Sequence, residues 1–333
     1  MRTAERTVLV CLAILSVGWS AVAQPATRFT FSESIMGTEF RLVISSTDSA
    51  GAHRAAAAAV QRGRDLDSLL SDYRTESELS RLARISGADS CAAVSRELMR
   101  ILLYARQLAS ESDGAFDVTV GPMTRLWRWA MRRGELPSDS RLGAARSSVG
   151  HRKLVVDGDG SCVRLTVPEM QLDLGGIAKG FAADEMLSTL SSWGFTSALV
   201  DAGGDIVVGD APTDAVAWMI DARAVDAQGR LAWQNLPLTS SAIASSGDRH
   251  RYLVANGIRY SHLLNPKTGL GLTQRREVTV VAPTGIAADA LASAISVMGE
   301  EGLSLADRPG YGARMIVADG QDHRIFEVGL LRR

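Results

Sequence analysis

Hydrophobic and polar positions along this chain alternate briefly, then follow helical rhythms, and turn strand-rich in the second half. Phe29 to Phe31 and Phe40 to Ile44 alternate, which predicts two strands. Ala50 to Leu70 is rich in Ala, Leu and Arg and predicts a long helix. Ser95 is placed to cap a second helix, whose apolar residues Leu98, Ile101, Leu102, Ala105 and Leu108 recur every three or four positions before Gly114 stops it. Arg132 to His151 is polar, carries Pro137 and holds no period, so it reads as a surface connection with room for one short helix.

From Lys153 onward the period shortens. Lys153 to Val156 and Val163 to Val167 flank Asp157-Gly158-Asp159-Gly160, a hairpin signal. Leu172 to Leu174 predicts a short strand before Gly175-Gly176, and Ile177 to Trp193 a helix ended by Gly194. Strands are expected at Ala198 to Asp201, Ile206 to Val208 and Trp218 to Asp221. Arg251 to Ala255 and Ile258 to Leu264 flank Asn256-Gly257, the strongest hairpin signal in the chain. Glu277 to Ala282 is a predicted strand, Ala287 to Met298 a helix, and Ala313 to Ala318 and Ile325 to Val328 the last strands. Hairpins and helices interleave without a regular βαβ alternation, which predicts an α+β fold.

Composition narrows the picture. The chain of 333 residues carries a net charge of −1, which argues against a nucleic-acid binder. Its 46% hydrophobic and 22% charged residues are those of a globular protein, not a disordered or multi-span membrane chain. The length allows one large domain or two closely packed lobes. Residues 1–23 read as an export signal: Arg2 and Arg6, an apolar run from Val8 to Val17, and Ala21-Val22-Ala23 as the cleavage site, leaving Gln24 first. The run is too short for a membrane anchor, so the expectation is an exported, periplasmic product with no transmembrane span after cleavage. Cys11 lies inside the apolar run, the wrong place for a lipidated cysteine. Cys91 and Cys162 remain and either pair or stay as two small residues.

Several chemistries are absent. There is no phosphate loop of the Walker type, no G-x-G-x-x-G after a strand, no HExxH and no G-x-S-x-G. The five histidines are scattered, so any metal would be hard and oxygen-bound. What remains are local constellations, each open to a plain structural reading. Leu172-Asp173-Leu174-Gly175-Gly176-Ile177-Ala178-Lys179-Gly180 either offers a helix N-terminus and a cation to a phosphate, or is a tight turn with a lysine. Asp289 and Ser293 share a helix face and either ligate Mg²⁺ together or serve the helix N-terminus and its packing. His262, before the turn at Asn265-Pro266-Lys267-Thr268-Gly269, either acts as a base or bonds backbone. Asp113-Gly114-Ala115-Phe116-Asp117 either holds a flat heterocycle or shapes a turn.

Taken together and in order, these segments resemble the ApbE family of FAD:protein FMN transferases. Met36-Gly37-Thr38, Ser71-Asp72-Tyr73-Arg74, Ser77-Glu78-Leu79-Ser80, DGAFDVTVGPM, LDLGGIAKGFAAD, ALVDAGGDIVVG, SHLLNPKTG and ADALASAISVMG carry the resemblance, from about Phe29 to about Val317. It implies an ApbE-like fold of mixed or antiparallel sheets with packed helices, a single large domain of two lobes spanning residues 24–333. It implies Mg²⁺-dependent transfer of the FMN half of FAD to a Thr or Ser hydroxyl, with release of AMP. The acceptors would be exported subunits of quinone-reductase or electron-transport complexes.

By the same resemblance, Gly176 (through its carbonyl), Asp289 and Ser293 hold the metal. Asp173 and Lys179 contact FAD, while Met36, Tyr73, Ala115, Phe116 and Asp117 line its pocket. His262 is the base. Ser293 stands where the family commonly has Thr, Asn265 where it usually has Asp, and Ala83 where many members carry Asn. Two other activities fit the same residues: FAD pyrophosphatase action yielding FMN and AMP, and flavin binding without turnover.

Overall fold

The computed structural model describes residues 26–157, 162–226, 230–247, 252–319 and 322–332. The export signal expected at residues 1–23, the expected tip of the hairpin after Asp157 and the expected start of the strand at Arg251 lie outside them. In chain order the strands and helices are β1 (Thr27–Ile35), β2 (Thr38–Ser46), α1 (Ser49–Leu70), α2 (Glu78–Arg84), β3 (Ala92–Ala93), α3 (Arg96–Glu111), α4 (Gly121–Arg133) and α5 (Asp139–Ser147). They continue as β4 (Leu154–Asp157), β5 (Cys162–Leu165), α6 (Ala178–Ser192), β6 (Ala198–Ala202), β7 (Ile206–Val208), β8 (Trp218–Val225) and β9 (Leu231–Leu238). The last are β10 (Ser241–Gly247), β11 (Tyr252–Ala255), β12 (Ile258–Ser261), β13 (Arg276–Ala282), α7 (Gly285–Met298), β14 (Gly312–Asp319) and β15 (Asp322–Gly329).

The expected α+β architecture is present. Eight strands form one sheet in the order β1-β2-β6-β7-β10-β13-β14-β15, with every neighbouring pair antiparallel. Helices α1, α6 and α7 pack together on one face, and their apolar sides form the main core with Phe40, Leu42, Ile44, Val278 and Val280. Fully burying each large side chain of this kind contributes roughly 1.5–3 kcal/mol. The ribbon of β8 and β9 covers the other face through Trp218, Ile220, Leu236 and Leu238. A satellite cluster joins α4 to the β11–β12 hairpin through Trp127, Ala130, Leu253 and Tyr260. Among the described residues no helix is long and apolar enough to cross a membrane.

Local signals explain most boundaries. Asp48 caps α1 by accepting from Gly51 N at 2.8 Å, and Ser95 caps α3 by accepting from Leu98 N at 3.2 Å. Asn256 and Gly257 both take positive φ, 51° and 74°, the geometry a two-residue hairpin demands. Cys91 and Cys162 are paired, with Cα atoms 5.5 Å apart, and tie the β3 region to β5.

Three expectations need correction. Leu172 to Leu174 is not a strand; both leucines are buried as a strand pattern requires, but only Gln171 pairs, in a single bridge to Val120. The strand begun at Ile258 stops at Ser261, because Leu263 N turns back to the Ser261 hydroxyl at 3.0 Å. The polar connection from Arg132 does hold the short helix α5, but α4 runs into it as far as Arg133. Helix α4 was missed, although Pro122 in its first turn and Gly134 at φ 73° after its end are standard start and stop signals.

Candidate functional site

The site is built where α6 and α7 begin. A Cβ on Gly180 would collide with the Gly285 carbonyl, and one on Gly285 with the Gly180 carbonyl, so the two helices touch backbone to backbone. Helix α7 is apolar almost all round, and Asp289 is its one charged residue. Such a carboxylate needs partners when buried. It is 5% exposed, and its Oδ2 accepts the Gly180 N–H at 3.1 Å.

Ser293 follows one turn later on the same face. A Cβ at Gly176 would lie 2.8 Å from the Ser293 hydroxyl and 3.6 Å from the Phe116 ring. Only glycine therefore lets the backbone of residue 176 approach that hydroxyl. Gly176, Ser293 and Phe116 thus meet, and the Asp289 carboxylate lies one helical turn away.

Lys179 stands beside Asp289, its Nζ 3.6 Å from Oδ2, and bonds directly to Asp205. Burial opposes the Lys179 charge, but Asp289 and Asp205 outweigh it and hold the ammonium above its ordinary range. Burial pushes the Asp205 carboxyl up, and the nearby Asp289 charge adds to this. Asp205 was not singled out from sequence. The signal for it is local: an acid directly after Gly203 and Gly204, both at positive φ. Its turn adjoins the other hairpin, since a Cβ on Gly203 would overlap the Thr38 side chain. Met36 occupies the tip of that hairpin at φ 50°, where Asn or Gly is the usual occupant.

Asp173 is held on both sides. Its Oδ1 accepts from Gly175 N at 2.8 Å and forms the turn ahead of α6, while its Oδ2 accepts from Arg128 at 3.2 Å. The same guanidinium donates to Asp72 at 2.5 Å and lies 4.5 Å from the centre of the Tyr73 ring. Burial and the charge of Asp173 push the Asp72 carboxyl up, opposed by Arg128. One cavity of about 370 Å³ opens here, lined by Tyr73, Leu79, Arg125, Arg128, Gln171 and Leu172. Tyr73 is 75% exposed, so the ring face away from Arg128 is open for stacking.

The segment from Asp113 to Gly121 is anchored internally. Asp117 Oδ1 accepts from the Thr119 backbone and hydroxyl at 2.8 and 2.7 Å, and Oδ2 accepts from His151 N at 2.8 Å. Burial pushes the Asp117 carboxyl up, and these bonds oppose it. Its side chain organises the loop; Ala115 and Phe116 are packed beside it, 8% and 6% exposed.

His262 is exposed immediately after β12. Its neighbour Ser261 is fixed by the Trp127 indole, which donates to the Ser261 carbonyl at 3.0 Å. Asn265 accepts from Lys267 N at 2.8 Å and shapes the following turn, a role for which its missing charge is immaterial. Trp127 and Arg128 are consecutive on α4. The helix that sequence reasoning overlooked therefore joins the His262 hairpin to the Asp173 turn.

The donors suit a hard divalent ion. Among the described residues no three His, Cys, Asp or Glu side chains gather in metal-ligand geometry. A cation here would rely on one carboxylate, Asp289, with the Ser293 hydroxyl and the Gly176 carbonyl. All are oxygen ligands, and the glycine cradle leaves them room.

Several known proteins are similar to this chain. The model of the ApbE family matches residues 36–316. The FAD:protein FMN transferase of Vibrio cholerae is 34% identical over 257 residues, 76% of each chain. That of Haemophilus influenzae is 30% identical over 261 residues, 76% of this chain and 75% of its own. The crystal structure of the Pseudomonas stutzeri flavinyl transferase ApbE, apo form, superposes with a TM-score of 0.81 and 31% identity, covering 92% of this chain and 96% of that one. The flavin transferase ApbE from Vibrio cholerae gives a TM-score of 0.81 at 29% identity, over 92% of this chain and 98% of that one. With the matched family model covering most of its length, this chain belongs to the ApbE family.

Proposed function

We propose that this protein transfers the FMN portion of FAD to a Thr or Ser hydroxyl of an acceptor protein, with Mg²⁺ and with release of AMP. The observation that carries this reading is the meeting of Gly176, Ser293 and Phe116 beside Asp289 and Lys179. It combines oxygen donors, a fixed cation and an aromatic wall in one place. The relatives named FAD:protein FMN transferase support it.

In this reading the acceptor oxygen forms a bond to the FMN phosphorus, and the bond from that phosphorus to the AMP phosphate oxygen breaks. His262 takes the hydroxyl proton. Lys179 offsets charge on the pyrophosphate, and the exposed face of Tyr73 stacks on a ring of the dinucleotide. Asp289, Ser293 and the Gly176 carbonyl would hold the Mg²⁺, which when bound would supply Lewis-acid stabilisation of the leaving phosphate. Phe116 and Ala115 wall the site, and Met36 and Asp173 border it. Export to the periplasm, with redox-complex subunits as acceptors, is part of the proposal. The signal-like segment 1–23 and the Cys91–Cys162 disulfide, a bond suited to an oxidising compartment, support it.

The test combines protein, FAD, Mg²⁺ and an exported acceptor domain bearing a candidate threonine. Intact mass follows the acceptor, and chromatography follows the nucleotides. The expected result is an acceptor heavier by one FMN group with matching AMP, abolished by Asp289→Ala. AMP and free FMN with an unmodified acceptor would assign FAD hydrolysis instead. Bound FAD without AMP would leave a flavin-binding protein.

A further inference from the structure

Lys179 lies between two buried carboxylates, and only Asp289 among them belongs to the proposed cation set. Asp205 is 4% exposed and Asp289 5%. Lys179 bonds directly to Asp205 but stands 3.6 Å from Asp289 Oδ2. Asp205 is firmly placed. It follows the glycine turn at φ 71° and 103°, its carbonyl accepts from Ala202 N at 2.8 Å, and its carboxylate accepts the Ser245 backbone N–H from β10. Among the described residues, Asp289 Oδ2 is shared between the Gly180 N–H and the more distant ammonium.

An ammonium and a divalent cation compete for one carboxylate, since each is stabilised by the same negative charge. The direct bond to Asp205 decides that competition by distance. We propose that Asp205 is a positioning residue that anchors Lys179 beside Asp289 and so keeps Asp289 available to a divalent cation. Without Asp205 the ammonium closes onto Asp289, and an entering cation must displace it. When all three side chains are ionised they carry one net negative charge, which a divalent ion would convert to one net positive charge facing the pyrophosphate. This inference rests on the Mg²⁺ reading above.

The test titrates Mn²⁺ alone into the full chain without FAD, with free Mn²⁺ counted by electron paramagnetic resonance. Asp205→Asn keeps the side-chain size and an oxygen for the Ser245 N–H. The expected result is Mn²⁺ affinity lower by about tenfold or more, as is common when an outer partner of a metal ligand is lost. In a Lys179→Gln background the same change should have a clearly smaller effect, because the competing ammonium is already gone. A purely structural role would weaken binding equally in both backgrounds. Equal losses, or no loss in the parent chain, overturn the inference while leaving the Mg²⁺ reading intact. No Mn²⁺ binding by the unmodified chain overturns both. If Asp205→Asn fails to fold, Lys179→Gln alone decides: tighter Mn²⁺ binding is expected, and weaker or unchanged binding overturns the inference.

Discussion

Gly180 and Gly285 face each other so closely that a Cβ on either would overlap the other's carbonyl oxygen. This contact sets the spacing of α6 and α7 and brings Gly180 N–H to Asp289 Oδ2 at 3.1 Å. Gly180→Ala must therefore separate two backbones rather than rotate a side chain. Overpacking of this kind costs about 1–3 kcal/mol. The variant should also lose any rise in melting temperature that Mg²⁺ produces in the parent protein. A variant that melts like the parent and keeps its Mg²⁺ response would show that the crossing does not define the site.

Trp127 gives a separate handle on His262. Trp127→Phe keeps an aromatic ring in the satellite core but removes the donor to the Ser261 carbonyl, an expected loss of about 1–3 kcal/mol. The hairpin end then loosens. FAD affinity should be nearly unchanged while transfer falls, and His262→Ala should show the same division more strongly. Comparing FAD binding by fluorescence with acceptor labelling by mass separates the two effects. Undiminished labelling by His262→Ala would remove it as the base.

Asp184 makes stability depend on pH. From α6 it accepts the Gly285 and Ile286 N–H groups at 2.6 and 2.9 Å, capping α7 where Thr284 does not. Burial pushes its carboxyl from 3.8 up to about 6, against the two backbone bonds. Between those values the folded chain holds a proton that the unfolded chain has released. The stability linked to that proton is full below about pH 4 and is lost as pH rises through about 6. The gap corresponds to roughly 3 kcal/mol. The stability of the parent minus that of Asp184→Asn, from urea unfolding, should fall steadily between pH 4 and 7. A flat difference would mean that Asp184 ionises as it does in the open chain.

The disulfide should also be measurable. Cys91 and Cys162 are 71 residues apart, and closing a loop of that size stabilises by about 4 kcal/mol in the chain-entropy account. Reduction should lower the urea midpoint without abolishing FAD binding, because the bridge ties β5 to the start of β3 in a separate three-stranded sheet and involves none of the proposed site residues. A midpoint insensitive to reductant would mean that the loop is held closed by other contacts.

Much of this molecule was legible along the chain. Caps, glycine stops and the Asn256-Gly257 turn act within a few residues, so α1, α3, α6, α7 and the β11–β12 hairpin could be read from local pattern. The ordered motifs around Asp173, Lys179, His262 and Asp289 pointed to the family for the same reason. Strands β9 and β10 were not anticipated. The register of β9 is decided by β8, and that of β10 by β7 and β13 in the large sheet.

The chain by itself determined the local elements, the glycines that permit close approach and the donors available for a hard cation. Only the tertiary structure decided how those donors are partnered. Asp205 is 26 residues from Lys179, Asp184 caps a helix 101 residues away, and Arg128 holds Asp72 and Asp173 from positions 56 and 45 residues distant. Asp117 spends its carboxylate on Thr119 and His151, the latter 34 residues away. Periodicity and turn chemistry are short-range and survive in a linear reading. Hydrogen bonds and ion pairs between distant segments exist only once packing has removed water and left each buried polar group one place to find a partner.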